Sequence, residues 1–194
     1  MARSAGVPVI NALSDLEHPC QALADFFTLF ERGSDLAKLR LAWIGDGNNV
    51  CHSILLLAAL TGVEVSVASP PGYEPDRTIQ MLARSLGGRF LITQDPRAAA
   101  EDADVLYTDV WTSMGQEGER EARLGAFRGY QVDARLLGFA KPTAVVMHCL
   151  PAHRGEEITS EVLDGPQSVV LEQSENRLHV QKAILLTLVE TGDA

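Results

Sequence analysis

The sequence predicts an α/β fold, a doubly wound, mostly parallel sheet flanked by helices. Two observations predict it. From Leu39 onward, short runs rich in β-branched residues alternate with helical stretches. Those runs are almost uncharged along their whole length, as strands covered on both faces must be.

The elements follow in order. Leu23, Phe26, Phe27 and Phe30 recur at i, i+3, i+4 and i+7, which predicts an amphipathic helix that stops at Gly33. Leu39–Ile44 reads as the first strand and Asn49–Leu60 as a helix apolar on most sides. Val63–Ala68 is the second strand, and Asp76–Leu86 a helix with Ile79, Leu82 and Leu86 on one stripe. Phe90–Thr93 is the third strand, Pro96–Asp102 a short helical link, and Val105–Thr108 the fourth strand. Ala144–His148 and Val169–Leu171 read as the fifth and sixth strands. A last helix runs from a Ser174 cap to about Glu190, with Ile184, Leu185, Leu188 and Val189 on a long apolar face. The arrangement is Rossmann-like, with no internal repeat and no low-complexity tract.

Composition limits the function classes. Sixteen Lys+Arg against 26 Asp+Glu leave a formal charge of −10, with a pI near 4.9. That field repels phosphate backbones and anionic lipid, so neither a nucleic-acid nor a membrane role is expected. The longest nearly apolar run, Ile54 to Leu60, falls far short of the roughly 20 residues a membrane span needs. Cys20, Cys51 and Cys149 are far apart and odd in number, which fits a reducing compartment, and the first ten residues lack a secretory pattern. A cytoplasmic protein is the expectation.

In such a sheet, ligands bind beyond the carboxyl ends of the strands. The first strand runs into Gly45-Asp46-Gly47-Asn48-Asn49. A dinucleotide reading of those glycines fails at Val50, where a third glycine belongs, and no acidic residue ends the second strand. Two readings stand: a glycine-punctuated turn, or a turn whose Asn49 offers an amide to a polar ligand. His18-Pro19-Cys20-Gln21 opens the first helix, with His18 as N-cap, Pro19 at the first helical position and Gln21 at the third. Gln21 either reaches back to cap the backbone or, with His18, faces a dipolar ligand at the positive helix end.

Asp109 follows a buried strand, and Trp111 and Met114 beside it supply apolar walls, so its carboxylate either pairs with a ligand ammonium group or closes an Asx-turn. Gly115 through Glu121 is polar enough to form a mobile flap. His148 and Cys149 close the fifth strand before Leu150-Pro151. With His153 they offer three metal donors, short of the usual four for structural zinc. Adjacent strand residues face opposite sides, so His148 should not activate Cys149 as a nucleophile. Cys149 is then a thiol lining a pocket or a small buried hydrophobe. Arg177, in the first turn of the last helix, either reaches a carbonyl or phosphate or lies in solvent. His52, His153 and His179 read as structural or solvated.

Taken in order, His18-Pro19-Cys20-Gln21, Gly45-Asp46-Gly47-Asn48-Asn49, Asp109 with Ser113-Met114-Gly115, His148-Cys149-Leu150-Pro151 and Glu175-Asn176-Arg177 resemble the motifs of ornithine carbamoyltransferases, within the aspartate/ornithine carbamoyltransferase superfamily. The resemblance covers essentially the whole chain. It implies transfer of a carbamoyl group from carbamoyl phosphate to L-ornithine, giving citrulline and phosphate in arginine biosynthesis. His18, Gln21 and Arg177, with Pro19 and Cys20 between them, would hold carbamoyl phosphate. Asn49, Asp109, Ser113 and Met114 would hold ornithine, with Cys149 and Leu150 flanking the reacting amine. His18, Arg177 and Cys149 would be catalytic. The resemblance implies no metal or organic cofactor, and a homotrimer for the full-length family.

The family's phosphate-binding Ser-x-Arg-Thr loop is not found in the 194 residues. The resemblance therefore implies the later half of such an enzyme, inactive alone. Residues 1–33 would be the interdomain linker and helix, 34–172 the ornithine-binding domain, and 173–194 a helix that packs on a missing first domain. Two other functions remain open at this point: a carbamoyltransferase for a related amine or amino acid, and a non-catalytic binding module.

Overall fold

The computed structural model describes residues 4–113 and 117–190. Five strands form one parallel sheet: β1 (Arg40–Ile44), β2 (Glu64–Ala68), β3 (Arg89–Thr93), β4 (Val105–Thr108) and β5 (Val145–His148), in the order β3-β2-β1-β4-β5. Helices α1 (Pro19–Glu31), α2 (Asn49–Thr61), α3 (Arg77–Ser85), α4 (Pro96–Ala100), α5 (Arg120–Ala126), α6 (Ala134–Leu137), α7 (Ser160–Leu163) and α8 (Val170–Glu190) complete the chain. No helix among the described residues is long and apolar enough to cross a membrane.

Alternation along each strand feeds two cores. Leu41 and Trp43 of β1 join Tyr107 of β4, Met147 of β5 and the apolar sides of α1 and α2 on one face. Ala42 and Ile44 join Leu106, Val146 and the residues of α4, α6 and α7 on the other. Trp43 and Tyr107 stack with ring centroids 5.0 Å apart. The strand order reverses between β1 and β4, so the crevice that binds ligands in such sheets opens between Gly45–Asn49 and Asp109–Ser113.

Three expectations change. Val169–Leu171 is not a strand: pairing with β5 ends in a bridge between Val146 and Ser168, and α8 begins at Val170 rather than at Ser174. Arg177 consequently lies two turns into the helix instead of in its first turn. The phenylalanine stripe of α1 is only partly core. Phe26 is 3% exposed but Phe30 is 62% exposed, and the buried face is Ala22, Asp25, Phe26 and Leu29. Leu23 and Phe27 instead line a groove of about 400 Å³ against Val180, Ile184 and Leu188 of α8. Of the expected flap, 115 and 116 lie outside the described residues, while Glu117–Glu119 forms a 3₁₀ turn leading into α5.

The first glycine turn has a structural explanation. A Cβ on Gly47 would sit 2.2 Å from the Pro75 backbone nitrogen, because the loop after β2 crosses directly over it. Backbone of Glu74 and Pro75 occupies the approach a dinucleotide phosphate would need.

Candidate functional site

Two polar groups gather at the carboxyl ends of the strands. The first is centred on Asp109, 7% exposed just past β4. One carboxylate oxygen, Oδ2, accepts from Asn48 Nδ2 at 2.7 Å; the other, Oδ1, accepts from the Cys149 thiol at 2.9 Å and from the Val110 backbone N–H at 2.8 Å. Asn48 is also the N-cap of α2, its side-chain oxygen accepting from Val50 and Cys51 N–H. Burial, followed by the neighbouring Asp109 charge, pushes the Cys149 thiol well above its ordinary pKa. In this geometry the thiol is a hydrogen-bond donor to the Asp109 carboxylate.

The second group is built from α1 and α8. Pro19 takes the first helical position as expected, but His18 makes no side-chain cap and Gln21 does not reach back. Arg177 Nη1 donates to Gln21 Oε1 at 2.6 Å. Gln21 Nε2 donates to Asp25 at 2.8 Å. His18 is placed by its backbone N–H donating to Ser53 Oγ at 2.8 Å. Its imidazole pKa is lowered, first by burial and then by the positive Arg177, against an opposing pull from Asp109. Both charges act on one ring, so His18 bridges the two groups electrostatically. Its Nδ1 is buried without a partner among the described residues, as are Trp111 Nε1 and Thr112 Oγ1 beside Asp109. Buried polar atoms are normally paired, so these unpaired ones are candidates for contact with a polar ligand.

The structure adjusts several sequence readings. Asn49 donates to the Ser14 carbonyl at 2.7 Å, and Asn48, one residue earlier, takes the place beside Asp109. Cys20 is buried with its thiol on the Asn11 carbonyl at 3.6 Å, where it pins the segment leading into α1. Ser113 is half-buried in the loop after Asp109, and Met114 lies outside the described residues. Leu150 is half-buried at φ 58, in the left-handed region that side chains disfavour, and its N–H donates to His148 Nδ1 at 2.9 Å. With Nδ1 accepting, His148 donates through Nε2 to buried Glu157 at 3.2 Å. His148 thus holds the turn and does not serve Cys149.

His148, Cys149 and His153 do not form a single donor set. Donor atoms of Asp109, His148 and Cys149 lie within 4.8 Å of one another, and those of His153, Glu156 and Glu157 form a separate group. His52 is structural: Nδ1 donates to the Leu16 carbonyl at 2.8 Å and Nε2 accepts the Asp76 N–H at 2.9 Å. Asp25, Tyr107 and Gln173, which contact the second group, were missed. The available signal was a carboxylate at position 25 inside an otherwise apolar helix face.

Comparisons with known proteins place the chain in a family. Residues 37–188 match the family model of the aspartate/ornithine carbamoyltransferase Asp/Orn binding domain, and residues 1–31 match the carbamoyl-P binding domain of the same family. The ornithine carbamoyltransferase of Methanoculleus marisnigri is 61% identical over 193 residues, which cover 100% of this chain and 62% of that protein. That of Archaeoglobus fulgidus is 57% identical, over 97% of this chain and 61% of its own length. The solved ornithine carbamoyltransferase of Pyrococcus furiosus superposes with a TM-score of 0.90 at 52% identity, covering 95% of this chain and 60% of that one. The anabolic enzyme of Campylobacter jejuni superposes with a TM-score of 0.92 at 38% identity, over 98% of this chain and 64% of that one. The chain therefore spans a little over three fifths of its relatives' length. From the strand-end motifs, the fold and these matches together, the chain belongs to the aspartate/ornithine carbamoyltransferase family.

Proposed function

We propose that this chain supplies the ornithine side and part of the carbamoyl side of an ornithine carbamoyltransferase acting in arginine biosynthesis. The observation that carries the reading is the meeting of an anionic group (Asn48, Asp109, Cys149) and a cationic one (Gln21, Arg177) around His18. Ornithine's ammonium end pairs with the Asp109 carboxylate, whose geometry Asn48 and the Cys149 thiol fix. The resemblance assigns Ser113 and Met114 to the same ligand. Arg177 spends one N–H on Gln21 and keeps the rest of its fork for the carbamoyl carbonyl oxygen.

These groups supply part of the chemistry, acting on positioned substrates. The neutral side-chain amine of ornithine attacks the carbonyl carbon, the C–O bond to phosphate breaks, and the amine nitrogen gives up a proton to the departing phosphate. Negative charge grows on the carbonyl oxygen in the tetrahedral transition state, where the remaining N–H groups of Arg177 meet it beside His18. Holding both substrates in line supplies much of the rate.

Residues 34–172 form the ornithine-binding domain in this reading. Residues 1–33 go with the carbamoyl-phosphate side, which the family match over 1–31 supports; residues 173–194 are proposed to pack on that side, although the Asp/Orn binding-domain match runs through 188. Free Cys20, Cys51 and Cys149 fit a cytoplasmic setting, and the family's homotrimer is part of the same proposal.

Calorimetric titration of the chain with L-ornithine tests the reading. We expect saturable binding that Asp109→Asn weakens by roughly ten- to a hundredfold, the worth of a hydrogen bond to a charged group. A chain that ignores ornithine sinks the proposal. Tighter binding of another amine or amino acid would change the substrate and leave the chemistry.

A further inference from the structure

Asp25 is 1% exposed and none of the steps above uses it. It lies one turn beyond Gln21 on α1, among Ala22, Phe26 and Leu29, where a carboxylate is costly unless it is fully paired. Three elements pair it. Oδ1 accepts from Gln21 Nε2 at 2.8 Å and from Gln173 Nε2 of α8 at 2.7 Å, while Oδ2 accepts from the Tyr107 hydroxyl of β4 at 2.9 Å. Gln173 also donates to Tyr107 OH at 3.0 Å, and its Oε1 accepts the His148 backbone N–H at 3.0 Å, which ties the node to the end of β5.

An ionised carboxylate only accepts, so it dictates which way the Gln21 amide faces. The NH₂ must point to Asp25, which leaves Oε1 toward Arg177, and Arg177 Nη1 donates to it at 2.6 Å. A flipped amide would set NH₂ donors against a guanidinium that can only donate. The orientation of Gln21 therefore locates the fork of Arg177.

We propose that Asp25 is a positioning residue for carbamoyl recognition: held by Tyr107 and Gln173, its carboxylate orients Gln21, and Gln21 in turn places Arg177 for the ligand's carbonyl. The proposal rests on the carbamoyltransferase reading. It adds a titrating element, since burial pushes Asp25 up to about 7 against the stabilising bonds of Gln173, Gln21 and Tyr107 and the charge of Arg177. The titratable and charged groups facing Asp25 are Tyr107 from β4, whose hydroxyl is driven far upward by burial, Cys149 just past β5, whose thiol is likewise pushed well up by burial, and Arg177 from α8. A protonated Asp25 carries a donor in place of an acceptor, and its hold on Gln21 weakens.

The test is ¹H–¹⁵N NMR of the full 194-residue chain titrated with carbamoyl phosphate, with inorganic phosphate as the control. The Gln21 side-chain amide and the Arg177 Nε–H are the reporters, and the Asp25 carboxyl is followed by ¹³C shift. We expect carbamoyl phosphate, not phosphate, to move both reporters, and its affinity to fall about tenfold as Asp25 protonates between pH 8 and 6. Asp25→Asn should bind about tenfold more weakly at pH 8, without that pH dependence and with ornithine affinity unchanged. The pH dependence that persists in Asp25→Asn belongs to His18 and to the ligand. Equal affinity of native and variant, or a native affinity that does not follow the Asp25 titration, overturns the proposal alone. If the variant does not fold, the native titration decides by itself. A native chain that treats carbamoyl phosphate and phosphate alike overturns the functional reading, and this proposal with it.

Discussion

At Asp25 the cost of burying a carboxylate becomes a measurable dependence of stability on pH. Its pKa is 3.8 in an exposed chain and about 7 in the fold, with desolvation the leading cause. Between those values the folded state binds the proton more tightly, so deprotonation favours unfolding. The contribution is present in full below the lower value and is lost as pH rises to the upper one. At about 1.4 kcal/mol per unit, the loss is on the order of 4 kcal/mol. Asp25→Asn cannot ionise, so we expect its melting temperature, relative to the native chain, to rise steadily from pH 4 to pH 7.5. Calorimetric scans of both proteins across that range check this, and a flat difference refutes it. The sequence shows a carboxylate on an apolar helix face but not what pairs it, because its partners, Tyr107 and Gln173, are 82 and 148 positions away. Asn48 was hidden for a smaller reason. Two adjacent asparagines open α2, and only the cap geometry, with Asn48 accepting from Val50 and Cys51, tells which one faces Asp109 and which faces Ser14.

Helices and strands repeat the lesson at larger size. The central strands were legible because β1 and β4 are buried on both faces and read as mostly uncharged runs, β3 at the sheet edge being more exposed, and α2 because its apolar stretch is long and punctuated by Gly62. The start of α8 was not, since Val169 and Val170 satisfy strand propensity, yet pairing with β5 stops at Ser168 and the helix begins at Val170. The short helix α5 was missed for the same reason: seven polar-rich residues carry no periodic signal. What fixes α5 is Arg123, whose Nη1 donates to Asp46 at 2.8 Å and to the Trp111 carbonyl at 2.9 Å, with the two charged side chains only 8% and 9% exposed. Burial raises the Asp46 pKa even against the Arg123 charge, so the pair depends on both partners. Arg123→Met leaves that carboxylate buried alone, and we expect a loss of about 3 kcal/mol in urea unfolding at pH 7. Asp46→Asn in the same background should restore part of it. If the double variant is no more stable than the single, the pair does not anchor α5.

Across the whole molecule, one polar node crosses the packing layers. Asp25 of α1, Tyr107 of the sheet and Gln173 of α8 share hydrogen bonds, and Asn176 of α8 donates to Thr28 Oγ1 of α1 at 3.0 Å. Loss of α1 or the first half of α8 would strand at least one buried polar group, at roughly 1–3 kcal/mol each, so these segments should open only with the sheet. Beyond Val180 the situation reverses. Leu185, Leu186 and Val189 are 56%, 57% and 72% exposed, and the groove that Ile184 and Leu188 share with α1 is open. Little buried area then opposes local opening of that half. Hydrogen exchange of the chain, followed by mass spectrometry, should give α1 and residues 170–177 the slow exchange of β4, and residues 183–190 exchange at least tenfold faster. Gln173→Ala should bring α1 and the first half of α8 toward the fast class while leaving β2 and β3 slow. Uniform protection along α8, or an unchanged pattern in that variant, would mean that apolar packing alone, and not the polar node, joins the two helices to the sheet.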